Sequence, residues 1–137
     1  MQLEDVRALV ADDLRRVDQV IVERLASDVV LVNQISQYII GGGGKRLRPL
    51  SVLLAARACG YTGLHHVEAA AIIEFIHTAT LLHDDVVDGS EMRRGRDTAN
   101  HVFGNQASVL VGDYLYSRSF QMMVSLDDLR IQGVMAD

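Results

Sequence analysis

The chain has 137 residues, enough for one ordinary domain with its own core, and 49% of them are hydrophobic, which excludes a disordered tail. A formal net charge of −5 argues against nucleic acid as the main partner, because neutralising phosphates needs a basic field. The lone cysteine, Cys59, excludes an internal disulfide, and no uncharged run approaches the roughly 20 residues of a membrane span.

An acidic N-terminus unlike a signal peptide completes the expectation of a soluble, cytoplasmic protein. One proline and few aromatic residues favour helices over strands. Residues 3–25 place Leu3, Val6, Val10, Leu14, Val17, Ile21 and Leu25 at spacings of three and four, which predicts one amphipathic helix. Ser27 and Asp28 read as a break and an N-cap, with a second helix over 29–40. The four glycines at 41–44 would lose too much backbone entropy in a helix, so they form a loop. That loop is either a flexible linker or, with Lys45, Arg46 and Arg48 behind it, a phosphate cradle at a helix start. It is not a P-loop, because Arg46 follows the lysine where Ser or Thr is required.

Pro49 suits the first turn of a helix continuing over 50–59, and 60–63 is a turn. The central helix runs over 64–88, with apolar residues almost all round, and is expected to be buried on several sides. A polar, glycine-spaced loop over 89–105 carries Arg93, Arg94 and Arg96, and a last helix runs from Gln106 to Leu126. Residues 127–137 remain helix-compatible. The expected fold is all-α, with about five helices.

Chemistry concentrates where the central helix ends. Asp84 and Asp88 are i and i+4 and project from one face, with Asp85 between them and Gly89 as the stop. Three carboxylates in a last turn oppose the macrodipole and repel one another, so the arrangement is unfavourable until a cation arrives. Hard oxygen donors without thiolates point to Mg²⁺. An acid trio alone also fits an exposed helix end, but this one closes a long apolar helix, and Arg93 and Arg94 follow directly. Metal-binding carboxylates beside arginines suit a diphosphate, and the greasy wall suits a prenyl tail. The basic cluster at 45–48 then suggests a second anionic substrate.

The segments G-G-K-R-L-R-P, H-T-A-T-L-L-H-D-D-V-V-D and M-R-R-G, in this order and spacing, resemble the trans-isoprenyl diphosphate synthase family, nearest its long-chain, octaprenyl-forming branch. The resemblance covers about 30–126. It implies Mg²⁺ on Asp84 and Asp88, with Asp85 supporting, and the allylic prenyl diphosphate on Arg93. It implies isopentenyl diphosphate on Lys45, Arg48, His77 and Arg94. It further implies condensation of the two substrates into a long all-trans chain for quinone side chains; a homodimer is expected on a separate ground, apolar helix faces left uncovered. Short-chain members of that family carry bulky aromatics four and five residues before the first aspartate. Here those positions are Thr80 and Ala79, with Ile76 and Ile73 further down, so the tail path is expected to be open and Ala79→Phe to shorten the product. Family members are about twice as long, with a second aspartate-rich motif that would lie beyond residue 137. On that ground residues 1–137 read as the N-terminal portion of one synthase domain, inactive alone.

The other reactive residues carry blander expectations. Cys59 is expected in the core, and His65, His66 and His101 at the surface or in turns. His83 either orients an aspartate or caps the helix. Asp127-Asp128 lacks a third acid, since position 131 is Ile. A metal-dependent phosphohydrolase using His83-Asp84, with His77 and His65 as ligands, is one rival reading; a non-catalytic subunit of another synthase is a second.

Overall fold

The computed structural model describes residues 1–42 and 44–137. It consists of helices α1 (Leu3–Ala8), α2 (Ala11–Leu25), α3 (Val30–Ile40), α4 (Leu47–Ala58), α5 (His65–Val87), α6 (Ala99–Phe103), α7 (Asn105–Ser125) and α8 (Leu129–Ala136). Between α5 and α6 lies a small antiparallel hairpin, β1 (Met92–Arg93) and β2 (Arg96–Asp97). The all-α expectation stands, although among the described residues eight helices replace about five and the hairpin and α6 occupy what reads as loop. No described helix is long and apolar enough to cross a membrane.

The packing is centred on α5, which lies mainly against α7, then α4 and α2. Its buried residues Val67, Ala71, Phe75, Thr78, Leu82 and Asp85 recur at three- and four-residue steps and define one wide face. Burying a side chain such as Phe75 or Leu82 stabilises the fold by about 1.5–3 kcal/mol. Along the contacting side of α7, Ser108, Gly112 and Ser119 are buried, and these small residues let the two helices approach closely. A Cβ added at Gly112 would run into the His83 ring. The opposite face of α5, carrying Ile73, Ile76, His77, Thr80, Asp84 and Asp88, is half-buried or exposed. The expected burial on several sides stands, with this one face left open among the described residues.

Several local expectations also change. The helix over 3–25 breaks at Leu9 and Val10, where Val10 turns fully into the core with φ −126° and ψ 27°, while α1 itself buries no residue. A straight helix would keep Val10 on the α1 face, and no glycine or proline marks the break. Ser27 does interrupt the chain, but Asp28 is not the cap. Asn33 reaches back instead, accepting from the Ser27 N–H at 3.1 Å and donating to its carbonyl at 2.7 Å. Cys59 is exposed at the C-terminus of α4 rather than buried. His66 is not a surface residue, because its side chain is buried with Nε2 2.9 Å from the buried carboxylate of Asp13, joining α5 to α2. His65 and His101 are exposed as expected. Asp128 N-caps α8, accepting from the N–H groups of Arg130 and Ile131.

Gly41 follows α3 directly, its N–H donating to the Gln37 carbonyl at 2.8 Å. The predicted glycine loop includes Gly43, which lies outside the described residues.

Candidate functional site at the end of the central helix

A cavity of about 410 Å³ opens between the C-terminus of α3, the start of α4, the middle of α5 and the hairpin. Lys45, Arg48, His77 and Arg94, predicted from segments far apart in the chain, all line it. Their convergence depends on Arg46. Its backbone is left-handed, φ 53°, and its guanidinium donates to Glu74 of α5 at 2.8 Å, with Asp18 of α2 at 3.6 Å. Both partners of the Arg46–Glu74 pair are largely buried. The pair turns the chain so that Lys45 and Arg48 flank the cavity. Arg7 of α1 fixes the same segment by donating to the Lys45 carbonyl at 2.6 Å.

Inside the cavity the Arg48 guanidinium donates to His77 Nε2 at 3.1 Å, which assigns the acceptor role to that nitrogen. Burial first, then Arg48, hold the imidazole below the ordinary histidine value; Arg94 and Arg93 act in the same sense, and Glu74 opposes them. His77 is thus neutral at pH 7 and ready to orient Arg48.

The acid trio divides into two kinds of residue. Asp85 is 2% exposed and is forked by Arg93, through Nε at 3.1 Å and an Nη at 2.6 Å. That hydrogen bond is the first reason the Arg93 guanidinium is held above its usual basicity, with Asp84 and Asp88 adding smaller electrostatic support. Asp84 and Asp88 remain exposed, one turn apart, without a hydrogen bond or ion pair to another side chain among the described residues. The Arg93 fork also anchors the hairpin, whose two turn residues, Arg94 and Gly95, both have positive φ (54° and 72°) between the paired Arg93 and Arg96. That is a two-residue primed turn, and it projects Arg94 toward the cavity.

The residues predicted to set chain length separate. Thr80, Ile76 and Ile73 share the open face of α5 with Asp84, whereas Ala79 is 1% exposed and belongs to the core. None of the four lines the 410 Å³ cavity. His83 takes neither of its two expected roles and instead docks on α7, with Nε2 at 3.2 Å from both the Val109 carbonyl and Asp113. It orients no member of the acid trio. The rival histidine–aspartate metal site loses its second ligand, because His65 lies 19 residues before Asp84, about 28 Å along the helix at 1.5 Å per residue.

Tyr38 and Glu74 also line the cavity and are absent from the sequence-derived set, and Arg46 and Arg96, which the sequence placed in basic clusters without a role of their own, line it too. For Glu74 a signal existed: it is an acid inside an otherwise apolar helix.

The family model described as Polyprenyl synthetase matches residues 29–137. This chain belongs to the polyprenyl synthetase family. Across all 137 residues it is 60% identical to the octaprenyl diphosphate synthase of Escherichia coli (strain K12), and it spans 42% of that protein's length. Its fold matches a decaprenyl diphosphate synthase from Rhodobacter capsulatus with TM-score 0.93 and 48% identity, covering 97% of this chain and 41% of the other. It likewise matches a polyprenyl synthase from Caulobacter crescentus, complexed with calcium and isoprenyl diphosphate, with TM-score 0.95 and 43% identity, covering 98% and 41%.

For a polyprenyl synthetase, the two kinds of aspartate have a direct chemical consequence. No group of three or more His, Cys, Asp and Glu side chains is gathered as a metal site among the described residues. Two free carboxylates fit Mg²⁺ all the same, because that ion keeps several waters and takes one or two carboxylates together with substrate phosphates.

Two predictions follow from the cavity walls. Arg46→Ala leaves Glu74 buried without its partner and should lower unfolding stability by about 3 kcal/mol, read by urea denaturation; a change near zero would remove the pair from its anchoring role. Because His77 binds protons less readily when folded, stability should fall as pH drops below 6.5, the ordinary histidine value. His77→Gln should flatten that fall in urea midpoints between pH 7.5 and 5.5, and an unchanged slope would contradict the assignment.

Proposed function

We propose that this chain carries the diphosphate-recognising part of a prenyltransferase that condenses isopentenyl diphosphate onto an allylic prenyl diphosphate such as farnesyl diphosphate. The observation that supports it most is the convergence of Lys45, Arg48, His77 and Arg94 on one cavity beside two free carboxylates at the end of α5. In this reading the cavity takes the diphosphate of isopentenyl diphosphate. Lys45 supplies a point charge, Arg48 and Arg94 supply planar donor forks, and neutral His77 holds Arg48 in place.

The allylic diphosphate lies on the other side of the hairpin, at Asp84, Asp88 and the outer edge of Arg93. Mg²⁺ held by Asp84 and Asp88 would neutralise charge on the departing diphosphate. The remaining guanidinium N–H groups of Arg93 face the same anion while Asp85 keeps the side chain in place. When the allylic carbon–oxygen bond breaks, its electron pair leaves with the diphosphate. The double bond of isopentenyl diphosphate attacks the resulting cation, and loss of a proton from the adjacent carbon restores an allylic diphosphate. Fixed charges aimed at the leaving group carry most of such catalysis, so Asp84→Asn should lower turnover at least ~10²-fold.

The growing tail is assigned to the open face of α5, along Thr80, Ile76 and Ile73. An eight-unit product for quinone side chains is supported by the 60% identity to an octaprenyl diphosphate synthase. A homodimer and a cytoplasmic setting belong to the same reading; the exposed Cys59 suits a reducing compartment.

The test is a chimera in which residues 1–137 replace the matching segment of the Escherichia coli octaprenyl diphosphate synthase. With radiolabelled isopentenyl diphosphate, farnesyl diphosphate and Mg²⁺, it should build octaprenyl chains, and Asp84→Asn should abolish them. In the same assay Thr80→Phe should shorten the product ladder. It is a cleaner probe than Ala79→Phe, which overpacks a buried site at a cost of about 1–3 kcal/mol. A folded chimera that binds both substrates without elongating either would contradict the proposal.

A further inference from the structure

The hairpin and the end of α3, more than 50 residues apart in sequence, are joined by contacts that the proposed reaction does not use. Arg96 of β2 places its guanidinium carbon 3.9 Å from the centre of the Tyr38 ring and donates to the Tyr38 carbonyl at 3.1 Å. That carbonyl belongs to the last turn of α3, which has no onward helix to satisfy it. Arg96 therefore caps α3 from another element, with its charge at the negative end of the helix. The Tyr38 hydroxyl returns a bond in the other direction, donating to the Asp97 carbonyl at 2.7 Å. Phe103 of α6 supports the ring edge-on, at 5.5 Å between centroids.

The loop glycines are matched to this joint. A Cβ at Gly42 would sit 3.1 Å from an Nη of Arg96, and one at Gly44 would sit 3.3 Å from an Nη of Arg94. Neither glycine has the positive φ that would require it for backbone reasons. What they provide is room for two arginines of one hairpin to lie against one loop. The space runs in register, beside Gly44 for Arg94 and beside Gly42 for Arg96.

We propose that Tyr38 and Arg96 form a clasp that fixes the end of α3, with Gly42, and the hairpin as one unit, making Arg96 a positioning residue for Arg94 at the diphosphate site. The clasp rests on the reading of that cavity as an anion site. It adds a distinction between two neighbouring arginines: Arg94 meets the anion, and Arg96 meets the protein. Arg96 spends its planar face on Tyr38 and an N–H on a helix carbonyl, a geometry that a lysine ammonium cannot reproduce.

The experiment measures inorganic diphosphate binding to the 137-residue chain by titration calorimetry, and amide hydrogen exchange at 41–46 and 92–97. Arg96→Ala and Tyr38→Ala should each weaken diphosphate about tenfold and speed exchange in both segments together, with the α5–α7 core still protected. Arg96→Lys, which keeps the charge, should rescue neither readout, whereas Tyr38→Phe, which keeps the ring, should rescue most of the affinity. Full rescue by Arg96→Lys would overturn the clasp and leave Arg96 as a plain charge near the anion. Exchange that rises in the hairpin alone would also overturn it. If the unaltered chain fails to bind diphosphate, the anion-site reading fails, and the exchange data still decide the clasp: a joint rise supports it and independent behaviour refutes it.

Discussion

Three carboxylates at the C-terminus of a helix are an electrostatic problem, and the fold answers it by treating one of them differently. Asp85 points into the protein, where a bidentate guanidinium meets it, so its charge is compensated without any ligand. Removing Arg93 would leave the buried Asp85 charge alone, which is why the hairpin cannot leave α5 without loss. Asp84 and Asp88 keep their charges in solvent, where repulsion is screened and a cation can reach them. A structural acid flanked by two available ones thus emerges from a motif that looks uniform in sequence. The hairpin, the direction of Arg94 and one wall of the cavity all follow from that one fork.

The second anchor works in the same way at the other wall. Glu74 is buried in α5, and Arg46 must adopt a left-handed backbone to reach it. A non-glycine residue in that region carries a conformational penalty of order 1 kcal/mol, which the buried ion pair offsets. The two fixed arginines, 46 and 93, present Lys45, Arg48 and Arg94 to a common space. In each case one basic residue is committed to the protein and its neighbour is left for the ligand; Arg96 extends that alternation to the hairpin's far strand.

Much of this was legible in the sequence, because it depends on local spacing. The periodicity of 67–82, the i, i+4 relation of Asp84 and Asp88 and the helix start at Pro49 need no tertiary information. Lys45, Arg48, His77 and Arg94, which the resemblance groups, line one cavity. What could not be read are contacts between distant segments. Arg46 and Glu74 are 28 positions apart, Tyr38 and Arg96 58, and no local pattern announces either pair. The hairpin escaped notice because its strands have two residues each and its turn is Arg-Gly instead of the usual Asn-Gly or Asp-Gly. The break at Val10 escaped because the hydrophobic spacing continues through it, and only the packed core shows that the chain must bend there. Ala79 and Thr80 look equivalent as small neighbours, yet the 100° between them places one in the core and one on the open face.

The division of labour within the acid motif is the point on which the account stands or falls. It is tested most directly by titrating inorganic diphosphate into Asp84→Asn, Asp85→Asn and Asp88→Asn, each with and without Mg²⁺, alongside urea unfolding of each variant. Asn at 84 or 88 should abolish only the Mg²⁺-dependent gain in affinity and leave stability unchanged. Asn at 85 should weaken binding with or without Mg²⁺ and lower stability as well, because Arg93 loses its charged partner and the hairpin loosens. Three variants with the same loss of Mg²⁺ dependence and the same stability would contradict it, and would make Asp85 one more ligand among equals.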